Sequence, residues 1–129
     1  MKNKTIRQVV NFDIPPHEVY ELLMESKKHS QLTGSHANIS RKVGGKFTAY
    51  DGYIDGVNLE IIEDKKIVQK WRGSDWPQGH YSIATFELKK SNSGTKLIFT
   101  QTDVPEEQYE PISQGWFEHY WNKIKKSMS

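Results

Sequence analysis

The chain has 129 residues, 18 Lys and Arg against 16 Asp and Glu for a formal net charge of +2, and no cysteine. Balanced charge makes a mixed surface rather than the clustered basic footprint of a nucleic-acid binder. The absent thiols exclude disulfides, a cysteine nucleophile and thiolate metal sites, so an intracellular compartment is expected. At this length one domain over 1–129 is expected, its core leaning on aromatic rings, which make up 12% of the residues. The N-terminus MKNKTIRQVV has no apolar signal core, and no run reaches the ~18 apolar residues of a membrane span, so the protein is expected to be cytoplasmic.

Residues 4–12 alternate, with Ile6, Gln8, Val10 and Phe12 on one side and Arg7, Val9 and Asn11 on the other, the pattern of a half-buried strand. Pro15-Pro16 stops it and opens a short helix over 16–24, where Val19, Leu22 and Leu23 form the apolar stripe. The polar segment ESKKHSQLTGSHA, which has room for a second helical piece, leads to the β region. There Gly44-Gly45 reads as a two-residue hairpin turn between ISRKV and KFTAY, and Asp51-Gly52 as another before YIDGVNLEIIE. Asp64-Lys65-Lys66 turns that run back into IVQKWR, and the turn Ser91–Gly94 joins YSIATFELKK to TKLIFTQTDV. Six or seven short antiparallel strands in a meander result.

The last segment has helical periodicity. Tyr109, Ile112, Trp116, Phe117, Tyr120, Trp121 and Ile124 fall in one arc of roughly 180°, with acids at the start and lysines at the end, as the helix dipole favours. An antiparallel sheet with one apolar face needs a cover, and this helix is long enough to supply it. Ala84, Phe86 and Leu88, with Leu97, Phe99 and Gln101, share the faces that point at it. The expected fold is α+β, a curved six- or seven-stranded antiparallel sheet gripping a long C-terminal helix, with short N-terminal helices.

Catalytic machinery is not visible. The five histidines are scattered at positions 17, 29, 36, 80 and 119 without metal-ligand spacing, and there is no Gly-x-Ser-x-Gly elbow or phosphate-cradling glycine loop. Asp75 and Asp103 could serve acid–base chemistry, but turns recruit Asp for backbone bonding far more often. No metal or cofactor is expected. The rings on the helix and sheet read first as core, and secondly as the wall of a cavity between a curved sheet and a straight helix. Trp71 shares the parity of Ile67 and Gln69 and reads as core or cavity wall. Trp76, in a loop ahead of Pro77, reads either as an exposed rim residue or as a ring packed over a cavity mouth.

The ordered markers Gly44-Gly45-Lys46-Phe47, Asp51-Gly52 with Gly56, Trp71-Arg72, Trp76-Pro77 with Gly79-His80, Gly94-Thr95, Val104-Pro105 and Gly115-Trp116 with Tyr120 resemble one family. It is the activator of heat-shock-protein-90 ATPase homologue family, in its C-terminal domain, part of the START-like (SRPBCC) helix-grip superfamily. The resemblance runs from Val19-Tyr20 to the final lysines. It implies a non-enzymatic co-chaperone-like module that binds the heat-shock-protein-90 chaperone and modulates its ATPase. In two-domain eukaryotic members a separate N-terminal domain does much of the stimulating. This sequence starts at the first strand of the C-terminal domain, which puts full activation in question.

The candidate partner surface is Arg72, Trp76, Pro77 and His80. The alternative is a binder of a small hydrophobic ligand in a cavity lined by Trp71, Phe86, Phe99, Gln101, Ile112, Trp116 and Tyr120. A cyclase- or hydrolase-like enzyme, third, would need His80, Tyr120 and Gln101 to converge in a pocket. No nucleic-acid or membrane partner is expected.

Overall fold

Period-two alternation fixes one buried face per strand, and the computed structural model, which describes residues 3–92 and 94–127, joins seven such strands into one antiparallel sheet. They are β1 (Asn3–Phe12), β2 (Asn38–Ile39), β3 (Lys46–Ala49), β4 (Ile54–Ile62), β5 (Lys66–Gly73), β6 (Ser82–Ser91) and β7 (Gly94–Pro105). Their order is β1-β7-β6-β5-β4-β3-β2, a meander from β2 to β7 with the first strand added beside the last. Helices α1 (Pro16–Met24) and α2 (Ser26–Thr33) lie between β1 and β2. The C-terminal helix runs over 109–127 as α3 (Tyr109–Trp116), a π-helical turn Phe117–Trp121 and α4 (Asn122–Ser127). This is the α+β helix-grip architecture expected from the sequence. Among the described residues no helix is long and apolar enough to cross a membrane.

Local chemistry accounts for most boundaries. In β1, Ile6, Gln8, Val10 and Phe12 are buried and their neighbours exposed. Pro16 opens α1 without a side-chain cap, and the Glu25 carboxylate caps α2 by accepting from the Lys28 N–H at 2.6 Å. Two bulges adjust the sheet. Leu59 is the extra residue of β4 opposite β5, and beyond it Ile61 rather than Ile62 packs towards the core. In β7 two residues, Thr102 and Asp103, face the single Thr5 of β1, and Asp103 takes a left-handed φ of 63°. Ser93 of the turn Ser91–Gly94 lies outside the described residues; Ser91 pairs with Gly94.

Three expectations change, the first being Asp51-Gly52, which is not a two-residue turn because Ala49 pairs with Ile54 and four residues, 50–53, connect β3 to β4. Gly44-Gly45 is not a two-residue hairpin turn, because β2 ends at Ile39 opposite Phe47 and a six-residue loop intervenes. The loop is tied down instead by the buried Asn58, whose amide donates to the carbonyls of Ser40 (2.7 Å) and Lys42 (3.1 Å). Phe117, placed in the apolar arc, is 40% exposed, whereas Trp121 is fully buried. The cause is the π turn, in which the Asn122 N–H reaches back to the Phe117 carbonyl. The wider turn swings Trp121 inward and leaves Phe117 at the rim.

The helix is pinned to the sheet by polar bonds inside an aromatic core. Trp116 Nε1 donates to Gln101 Oε1 at 2.8 Å, and Trp121 Nε1 donates to Gln8 Oε1 at 2.7 Å. Each glutamine is satisfied at its other end: Gln101 Nε2 donates to Ser82 Oγ (2.9 Å), and Gln8 Nε2 donates to the Ser113 carbonyl (2.9 Å). A further bond ties the helix to α2 through buried His29. Its Nδ1 lies 3.2 Å from the Leu23 carbonyl, which can only accept, so Nδ1 carries the proton and Nε2 accepts from the Tyr120 hydroxyl at 2.9 Å. Burial holds the imidazole pKa below its ordinary value, the carbonyls of Leu23 and Leu22 partly offsetting it.

Trp121→Phe leaves the Gln8 oxygen buried without a donor, so it is expected to destabilise by about 1–3 kcal/mol in urea unfolding. Adding Gln8→Met removes the orphaned group, and the double variant is expected to recover part of that loss. For His29 the unfolded chain gains a proton near pH 6.5 and the folded chain only at lower pH. Its stabilisation is therefore complete above pH 6.5, declines as pH falls below it, and levels off beneath the folded-state pKa. His29→Gln is expected to flatten this limb of the stability–pH curve, measured by thermal unfolding between pH 5 and 8.

Candidate functional site

Rings fill the deep space between sheet and helix. Phe99 lies 4.4 Å from Trp116 and 5.1 Å from Phe86 between ring centroids, and Trp116 stacks on Trp121 at 5.4 Å and 17°. What remains there is a void of about 20 Å³, room for roughly one water. The expected interior cavity is thus closed, and Phe86, Phe99 and Gln101 are core residues: Phe99 and Gln101 are fully buried and Phe86 borders only the small void.

The accessible space lies further out. A cleft of about 500 Å³ opens between the first turns of the C-terminal helix and the corner joining β3 to β4. Four of the seven expected cavity residues, Trp71, Ile112, Trp116 and Tyr120, line it. Tyr50, Tyr53 and Ile54 face them, and Asp75, Gln108 and His119 supply its polar groups.

Each wall is held by an identifiable bond. Gly115 contributes no side chain, which keeps the helix side open. The corner is a tight reversal in which Tyr50 (φ 50°), Asp51 (φ 57°) and Gly52 (φ 92°) are all left-handed. For non-glycine residues this conformation costs on the order of 1–2 kcal/mol each. Two bonds hold the reversal: the Asp51 N–H donates to the His36 carbonyl (3.0 Å), and the His36 N–H donates to Asp51 Oδ1 (2.8 Å). Its effect is to aim the Tyr50 ring at the helix, where the hydroxyl donates to the His119 carbonyl at 2.9 Å and the ring meets Tyr120 edge-on at 5.9 Å. Across the mouth, the Tyr53 hydroxyl donates to Asp75 Oδ1 at 2.7 Å. Burial pushes the phenol pKa of Tyr50 to about 12, and burial with the Asp75 carboxylate does the same for Tyr53. Burial raises Tyr120 further still. All three stay neutral at physiological pH.

The expected partner surface divides. Trp76 is not an exposed rim residue: it is 4% exposed and packs on Trp71 at 5.5 Å and on His80 at 5.9 Å. Arg72 turns inward to clamp that loop, donating to the carbonyls of Trp76 (2.8 Å) and Pro77 (3.3 Å). Pro77 stays exposed, and half-buried His80 is fixed by a 2.8 Å bond to the Asp103 carbonyl. Tyr120, Gln101 and His80 do not converge, since Tyr120 alone of the three borders the cleft. Among the described residues no three carboxylate or imidazole side chains are grouped to hold a metal ion.

Sequence reasoning missed Tyr50, Tyr53 and His119 as wall residues and set Asp75 aside as a turn residue. The signal available was the Asp51-Gly52 pair, which marks a reversal but not the ring it presents.

Comparison with known proteins bears on both fold and family. The chain is 30% identical over 112 residues to human activator of 90 kDa heat shock protein ATPase homolog 1, which covers 87% of this chain and 33% of the relative. It is equally identical over 127 residues to the Dictyostelium discoideum homologue, covering 98% of this chain and 33% of that one. The chain thus spans about a third of the length of these curated relatives. Among solved structures, an HSP90 activator from Plasmodium falciparum superposes with a TM-score of 0.89 at 28% identity, over 96% of this chain and 95% of that one. The Aha1 dimer from Colwellia psychrerythraea, at 17% identity and a TM-score of 0.82, shares the fold. Residues 13–129 match the model of a family described as activator of Hsp90 ATPase homolog 1-like protein, and it is to this family that the chain belongs.

Proposed function

We infer that this chain is a non-enzymatic, co-chaperone-like module that binds Hsp90 and modulates its ATPase. The observation that carries this reading is the likeness to the Plasmodium HSP90 activator, which is matched over 95% of its own length at 28% identity. The curated activators share the same region at 30% identity. Because this region is a third of those proteins, the reading assigns binding to the module and leaves the size of the ATPase effect to measurement.

The contact surface that best fits is the exposed turn 77–79 with His80. Buried Trp76 and the Arg72 clamp hold that loop in one conformation, so little ordering entropy is lost on association. Arg72 and Trp76 support the contact from beneath rather than making it.

Titration of the module into the cognate Hsp90 is expected to give a Kd of about 1–50 µM, with a change in ATPase rate at saturation. Absence of binding in that range would remove the reading. Pro77→Ser with Gln78→Glu is expected to weaken binding severalfold without altering the melting temperature. Trp76→Ala, by contrast, is expected to cost about 3–5 kcal/mol of folding stability.

A further inference from the structure

The cleft described above has a feature that the chaperone reading does not use. Its wall is a chain of touching rings: Trp71 to Trp116 at 5.4 Å, Trp116 to Tyr120 at 4.9 Å, and Tyr120 to Tyr50 at 5.9 Å. Three of these four rings, and Tyr53 beside them, have their polar tips engaged elsewhere. The Trp116 indole N–H is on Gln101, the Tyr120 hydroxyl on His29, the Tyr50 hydroxyl on the His119 carbonyl, and the Tyr53 hydroxyl on Asp75. What these residues offer a guest is hydrocarbon and π surface.

Charge adds direction. Among the described residues lining the cleft there is no lysine or arginine, and there is one carboxylate, Asp75. One oxygen of Asp75 accepts from Tyr53; the other accepts no hydrogen bond among the described residues. A carboxylate can only accept, so its complement is a donor, and a positively charged donor is favoured both by it and by the negative faces of the rings. The volume of about 500 Å³ falls within the range of small-molecule sites. The left-handed Tyr50 and Asp51 are a second sign of a built wall, because strained backbone of this kind persists where surrounding structure holds it in place.

We propose that this cleft is a binding site for a small amphiphilic amine, with an aromatic or alicyclic body lying on the Trp71–Trp116–Tyr120–Tyr50 wall and a protonated nitrogen on Asp75. The site is separate from the exposed turn 77–79 and does not require the chaperone. A neutral hydrophobic molecule of the same shape would keep the ring contacts and lose the charge-assisted bond. An anion would meet the carboxylate's repulsion.

The test uses three probes of one shape: naphthylethylamine, naphthylethanol and naphthylacetate. Each is titrated into the full chain at neutral pH by calorimetry, with the tryptophan indole N–H signals followed by NMR. The amine is expected to bind saturably, about three- to tenfold more tightly than the alcohol, with the acid weakest. The indole signals of Trp71 and Trp116 are expected to move while that of Trp121, which does not border the cleft, stays in place. Asp75→Asn, which can still accept from Tyr53, is expected to bring the amine down to the level of the alcohol and leave the alcohol unchanged.

Gly115→Leu supplies the second variant. A Cβ at Gly115 meets only His119 Cδ2, at an ordinary 3.6 Å, so the larger side chain is expected to fill the cleft with the fold retained and to abolish binding of all three probes. The proposal is overturned if no probe binds saturably, if all three bind alike, if Asp75→Asn leaves the amine preference intact, or if folded Gly115→Leu still binds the amine. None of these readouts involves Hsp90, so failure here leaves the chaperone reading standing.

Discussion

Two indole–amide hydrogen bonds, Trp116 to Gln101 and Trp121 to Gln8, fix where the C-terminal helix sits on the sheet. Hydrophobic burial alone would hold the helix against the apolar face, but it is non-directional and would tolerate sliding or rotation. A buried amide left without a partner costs about 1–3 kcal/mol, so a displaced helix is penalised at two points at once. The two acceptors sit on β7 and β1, which pair with each other near this site, Gln101 being opposite Ile6 and Gln8 opposite Phe99. Pairing the first strand with the last therefore brings together the groups that position the helix.

The cleft follows from that placement. With Trp116 and Trp121 drawn inward, Phe86 and Phe99 are packed among rings and the deep cavity closes to about 20 Å³. The π turn then sets Tyr120 beside Trp121 on the buried side, where its hydroxyl reaches His29 on α2. The helix cannot also follow the sheet's curvature at its first turns, and Gly115 leaves open the gap that Tyr50 and Tyr53 wall from the other side. Closed core and open cleft are two results of one constraint.

The two tryptophans to which the sequence assigns different roles are both buried. The segment from Trp71 to His80 carries the densest part of the family resemblance, yet its tryptophans face inward, one into the core and one beneath the loop. The indole nitrogen of Trp76 and the Nε of Arg72 have no hydrogen-bond partner among the described residues, a cost that packing of the loop must offset. Arg72 and Trp76 hold the loop that carries residues 77–79, while Trp71, with Trp116, belongs to the wall of the cleft.

Much of this protein was legible from residue order alone. Alternation in β1, β6 and β7 named the buried faces, Pro16 and the Val19–Leu23 stripe gave α1, and the apolar arc gave the last helix, because these depend on periods of two and 3.6 that local sequence carries. Trp71, Ile112, Trp116 and Tyr120, expected at a cavity between sheet and helix, line the outer cleft instead. Residue order did not determine which way Trp76 turns, that Phe86 and Phe99 seal the interior, or that Tyr50, Tyr53 and Asp75 line the cleft. Those outcomes depend on contacts between residues far apart in the chain, such as Tyr50 with His119 and Tyr53 with Asp75. The π turn belongs with them, since a straight helix and a widened one share nearly the same local pattern, and only packing against Gln8 and Phe99 selects the wider turn.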